Sequence, residues 1–111
     1  MTQVELFEDF KRDFKRLAKK FRTLTEELEE LIAELETNPG KGTDLGSGLH
    51  KIRLRSKSKG GGKSGGFRVI TYYIEKKTDI EIVYLISIYD KSEFSTIEKN
   101  ELMKIIKDAL E

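Results

Sequence analysis

Cysteine and tryptophan are absent, and histidine and proline occur once each, at His50 and Pro39. Without cysteine there is no disulfide framework, no thiol nucleophile and no thiolate metal site. A single histidine rules out a multi-histidine metal centre. No apolar run approaches the ~20 residues a helix needs to cross a bilayer, and no secretory signal is read at the start, so a soluble cytoplasmic protein is expected. A chain of 111 residues is expected to form one domain, residues 1–111, with one modest core.

Charge is abundant, and its sign is unevenly spread. The net value of +1 conceals a segment, 41–68, that holds eight Lys/Arg against one acid, Asp44. Residues 23–40 hold six Glu and no base. A merely solubilising surface mixes both signs. A dense basic stretch in a nearly neutral chain is the electrostatic footprint of a polyanion site.

Within that basic stretch lies SKSKGGGKSGG, residues 56–66. Its Gly62-Lys63-Ser64 suggests a phosphate-binding loop, but the spacing excludes one. The glycine required five residues earlier is Lys57, and the residues that follow, FRVITYYI, favour a strand where such a loop must open a helix. The segment therefore reads as a cationic hairpin connection.

Phe7, Phe10, Phe14, Leu17 and Phe21 recur at helical spacing and predict a helix over 7–22. Leu24, Leu28, Leu31, Ile32 and Leu35 predict a second helix, opened by the capping-box pair Thr23/Glu26 and stopped at Asn38-Pro39-Gly40, so that 7–38 forms a helical hairpin. Val4–Leu6 reads as a short strand, and 41–48 as a loop. From His50 to Arg55 the pattern alternates: Ile52 and Leu54 point one way, Lys51, Arg53 and Arg55 the other. His50 falls on the Ile52 side. Strands at 67–75 and 80–90 follow, joined by a turn at 76–79, with the second apolar enough to be covered on both faces. Ser95/Glu98 repeats the capping-box spacing before a final helix over about 96–110, buried through Leu102, Ile105, Ile106, Ala109 and Leu110. The expected fold class is α+β: an antiparallel meander of three to four strands, within about 49–90, with the helices on one face and the cations on the other.

The strings Asn38–Gly42, Gly48–Arg53, Ser58–Ile70 and Tyr84–Glu93, in this order of elements, resemble the RelE/ParE superfamily of toxin–antitoxin toxins, most nearly its HigB-like RelE branch. The resemblance covers nearly the whole chain. It implies a cytoplasmic toxin that enters the ribosome, cuts mRNA without metal or cofactor, and is restrained by a cognate antitoxin. It assigns Arg68 to the scissile phosphate, Lys51 and Arg53 to phosphate binding or proton acceptance, and Lys91 to a general acid or second phosphate clamp. The tyrosine or histidine that some members place near the C-terminus aligns with Ile97. Arg55, Lys57, Lys59 and Lys63 are expected to meet RNA backbone through charge, and Tyr89 to stack on a base or donate a proton. Tyr72, Tyr73 and Tyr84 read as strand packing. Metal-free cleavage by the ribose 2′-OH needs a proton acceptor, a proton donor and cations on the dianionic transition state. With one histidine, those roles fall to Lys, Arg and Tyr. The same fold also serves ParE-like inhibition of DNA gyrase, and a non-catalytic RNA-binding module is a third reading.

Overall fold

A computed structural model describes residues 2–59, 66–75, 79–93 and 97–111. In chain order it contains β1 (Thr2–Leu6), α1 (Glu8–Lys20), α2 (Leu24–Thr37), β2 (Thr43–Gly46), β3 (Leu49–Leu54), a 3-10 turn (Lys57–Lys59), β4 (Phe67–Tyr72), β5 (Glu81–Asp90) and α3 (Lys99–Leu110). The strands form one mixed sheet in the order β1-β5-β4-β3-β2.

The expected antiparallel meander is β3-β4-β5, and the sheet extends beyond it at both edges. β1 pairs parallel with β5, and β2 pairs antiparallel with β3 inside the segment read as a loop. Nothing in KGTDLGSG alternates, so no period marks it as a strand. Its pairing depends on glycine at close approaches. Gly42 has φ +104°, and a Cβ there would lie 2.6 Å from the Lys51 carbonyl oxygen. The Asp44 carboxylate accepts the Gly46 N–H at 2.7 Å across the register shift in this pair.

The helices follow the apolar stripes. Phe10 and Leu17 of α1 and Leu24, Leu28, Leu31 and Leu35 of α2 are buried. Glu8 and Asp9 open α1 and Lys19 and Lys20 close it, each sign at the end of the helix dipole it favours. The expected Thr23/Glu26 capping box does not form. Thr23 sits in the helical region of φ/ψ, where its hydroxyl makes no cap bond. The hydroxyl instead meets the Ser58 hydroxyl at 2.7 Å, accepts the Ser58 N–H at 3.0 Å and bonds Glu27 Oε1 at 3.1 Å. Glu27 Oε2 in turn accepts the Lys57 N–H at 2.8 Å. A local helix-start signal is thus spent on a long-range tie between the α1–α2 junction and the 3-10 turn. At the second expected capping box Ser95 lies outside the described residues, as do 76–78 of the expected turn; α3 begins after Glu98.

Register divides the side chains between two faces. Rows Leu54–Phe67–Asp90 and Ile52–Val69–Ile88 lie on the first. Phe21 meets Phe67 edge-on at 5.1 Å there, so α1 and α2 cover this face. Rows Arg53–Arg68–Tyr89, Lys51–Ile70–Ser87 and Leu49–Tyr72–Tyr84 lie on the second. An unpaired Ile86 in β5 keeps Tyr84 and Ser87 on the same side.

The helices do not all share one face. α3 starts with Lys99 Nζ close over Gly46 and ends with Leu110 beside Tyr72 and Tyr84. It therefore crosses the second face at its Leu49–Tyr84 end and buries Leu102 and Ile106. This agrees with the apolar character of β5, which needs cover on both sides. Ala109 and Leu110, expected in the core, are exposed. At the rim of the sheet Leu110 borders a small pocket of about 180 Å³ and stays 45% exposed.

Gly66 precedes β4 at φ +106°, where a Cβ would lie 2.6 Å from the Leu54 carbonyl oxygen and 3.3 Å from Arg55 Cα. Both obstacles are backbone, so neither can move aside cheaply. Gly66→Ala is expected to lower stability by about 1–3 kcal/mol, read as a lower urea midpoint with unchanged slope.

Candidate functional site

The end of the second face that α3 leaves uncovered carries the cations. Arg53 and Arg68 are directly opposite one another in the β3–β4 ladder, and Tyr89 is opposite Arg68 in β4–β5. Lys51 lies two residues along β3 on the same face. Neighbouring strands are about 4.8 Å apart, so the two guanidinium stems run side by side. Like charges at directly opposed positions destabilise a sheet unless an anion lies between them. Arg53 is exposed and Lys51 half-buried, while Arg68 is only 6% exposed and forms the floor. Arg68 Nη1 donates to the Phe67 carbonyl at 3.3 Å. A guanidinium has five N–H donors, that carbonyl is a neutral acceptor, and among the described residues no carboxylate forms an ion pair with Arg68.

Tyr89 is 3% exposed. Burial pushes its phenol up, and the neighbouring Arg68 charge works against that rise. A ring this covered supports Arg68 from the side and is not a platform for stacking a base. Tyr89 also lines a groove of about 490 Å³ walled by Arg12 and Arg16 of α1, by Ile97, and by five acids from α1, from just past the end of β5 and from the start of α3, Glu93 and Glu98 among them. Ile97 is therefore close to the cationic row, although it brings no proton. Arg16, which pairs with Glu93 at 3.7 Å, had no sequence signal beyond its helical spacing.

Lys91 follows β5 and is half-buried, its N–H donating to the Gly66 carbonyl at 3.4 Å. Arg55 and Lys57 are exposed. Arg53 and Arg55 also border a groove against Glu27, Glu30 and Glu34 of α2, so acid stands close to this edge of the cationic surface. Lys63 lies outside the described residues.

Lys59 is placed unlike Arg55 and Lys57. Its ammonium forms an ion pair with Asp90, donates to the Gly66 carbonyl at 3.2 Å and lies 5.4 Å from the centre of the Phe67 ring. The two side chains are 15% and 6% exposed. This charge is spent inside the protein, on the first face, and is not offered to a phosphate. Burial alone would push the Asp90 carboxyl up. Hydrogen bonds from Lys59 and from the Ser92 N–H and hydroxyl, with the Lys59 charge, outweigh burial and hold it below the usual carboxylate range. A depressed folded value stabilises the fold above the unfolded pKa of about 3.9, and that contribution is lost as pH falls through the folded value. Asp90→Asn is therefore expected to flatten the acid limb of the stability–pH curve, measured by urea melts from pH 7 downward.

His50 falls on the first face opposite Thr71, as alternation predicts. Tyr72 and Tyr84 pack with ring centres 6.3 Å apart, and the Tyr73 hydroxyl donates to Glu81 at 2.6 Å. That bond, then burial, then the Glu81 and Glu75 charges push the Tyr73 phenol up to about 12. Among the described residues no cluster of three or more carboxylate or imidazole groups is placed to hold a metal ion, and no helix is long and apolar enough to cross a membrane.

Fold and site together define a small α+β protein that gathers Lys51, Arg53 and Arg68 at one end of a sheet face, Arg53 exposed and Arg68 buried beside it. Residues 8–111 match the family described as the RelE toxin of the RelE/RelB toxin–antitoxin system. The chain belongs to the RelE toxin family, and the system's name implies a cognate antitoxin as partner. It is similar in fold to a solved structure of an Escherichia coli RelE double-arginine mutant in the free state. That match has a TM-score of 0.57 at 20% identity and covers 84% of this chain and 86% of that one.

Proposed function

We propose that this RelE-family chain is a cytoplasmic, ribosome-dependent endoribonuclease of the HigB-like branch that cuts mRNA without metal or cofactor. The observation that carries the reading is the direct opposition of Arg53 and Arg68 on one sheet face, with Lys51 on that face and Lys91 just past the end of β5. The ribose 2′-OH attacks the adjacent phosphorus and gives up its proton. The P–O5′ bond breaks, leaving a 2′,3′-cyclic phosphate on one fragment and a protonated 5′-OH on the other. Arg68 binds the scissile phosphate as negative charge builds on its oxygens. Arg53 holds the same phosphate, because a guanidinium carries only donors and cannot take up a proton. Lys51 holds it too or, as a free amine, receives the proton, and Lys91 supplies one to the leaving oxygen. Groups this weakly suited to proton transfer suffice when the ribosome holds the substrate in line, because orientation alone removes much of the barrier. Arg55 and Lys57 add sequence-blind attraction for phosphates. The antitoxin restrains the activity.

The test is primer extension on message from a cell-free translation reaction. New 5′ ends that need ribosomes and vanish in Arg68→Ala and Lys91→Ala support the reading. Blocked translation with intact message points to a non-catalytic RNA binder, and normal translation with altered DNA supercoiling to a gyrase inhibitor.

A further inference from the structure

We infer that the buried Lys59–Asp90 pair is a positioning clamp that sets where Lys91 sits relative to the Arg53–Arg68 row; the inference rests on the cleavage reading above. Three chain segments meet at this pair. Lys59 ends the 3-10 turn, Gly66 immediately precedes β4, and Asp90 ends β5. Lys59 binds the Gly66 carbonyl, and the same carbonyl accepts the Lys91 N–H. One Asp90 oxygen takes the Lys59 ammonium together with the Ser92 N–H and the Ser92 hydroxyl, each at 2.9 Å, while the Asp90 carbonyl accepts the Glu93 N–H at 2.9 Å. The backbone on both sides of Lys91 is thus tied to one ion pair. The 3-10 turn that supplies Lys59 is itself tied to α2, through Glu27, and to Thr23.

An ion pair this buried is a poor source of stability, because desolvation offsets most of the attraction, and an apolar pair of similar volume often does as well. A role in placing Lys91 accounts for a charge pair here better than stability does. It also explains why Lys59 turns inward at this point while Lys57 faces outward.

The informative variant is Lys59→Met/Asp90→Leu, since Asp90→Leu alone would strand a buried ammonium. The double variant is expected to fold with a thermal midpoint near the parent's. Its single-turnover cleavage rate on ribosome complexes is expected to fall on the order of 10²-fold, with the half-saturating concentration unchanged. In a Lys91→Ala background it should cost almost nothing further, because the clamp acts through that side chain. Amide exchange at Lys91 and Ser92 should accelerate. An undiminished rate, losses that multiply with Lys91→Ala, or unchanged exchange at both amides would overturn the clamp. If the double variant does not fold, Asp90→Asn takes its place under the same criteria. If the parent protein cuts no message, the cleavage reading fails by itself, and the exchange measurement still decides whether the pair holds Lys91.

Discussion

Arg68→Ala is expected to reduce ribosome-dependent mRNA cleavage by about 10²–10³-fold, the usual cost of deleting one preorganised donor to a developing oxyanion. Of the cations on this face it is the least exposed, and water screens its charge least. It stands in the central strand of the meander, between Arg53 and Tyr89, and cannot swing away as an exposed lysine can. Arg68→Lys is expected to recover little, because an ammonium lacks the planar fork that meets two phosphate oxygens at once. Single-turnover cleavage of a ribosome-bound message, with circular dichroism to show that the sheet persists, separates lost chemistry from lost fold. An Arg68→Ala protein that cuts at the parent rate would remove the basis for the proposed mechanism.

The second large effect is on the fold. Phe67→Ala is expected to destabilise the protein by about 3–5 kcal/mol, a large share of the 5–15 kcal/mol typical of a single domain. Phe67 is fully buried, packs edge-on against Phe21 and lies under the Lys59 ammonium. No strand can move into the space its ring leaves, because both neighbours of β4 are already paired. The urea midpoint reports the loss. Arg68 is the next residue along the strand, so cleavage is expected to fall at temperatures where Phe67→Ala is partly unfolded and to recover on cooling.

Several parts of this molecule were legible in its residues. The apolar stripes of α1 and α2 and the alternation through β3 each depend on a local period, which a chain displays whether or not it is folded. The same alternation placed Lys51 and Arg53 together, away from Ile52 and Leu54. β2 was not legible, because its pairing is supplied by the edge of β3 and by glycine positions such as Gly42, with no pattern of its own. Thr23 carried the signal for a local cap and was used at long range with Ser58.

Lys59 shows the limit most clearly. In sequence it is one of several cations flanking a glycine-rich stretch, indistinguishable from Lys57. The fold turns Lys57 outward and Lys59 inward onto Asp90, a residue 31 positions away. By itself the sequence determined the fold class, the helices and core strands, and which strand faces carry cations, since these follow from side-chain periodicity and composition. Only the tertiary structure decided that Arg53 and Arg68 stand opposite one another, that α3 covers half of their face, and that Lys59 is spent on Asp90. Those outcomes depend on register and on contacts between distant segments, for which no local pattern exists.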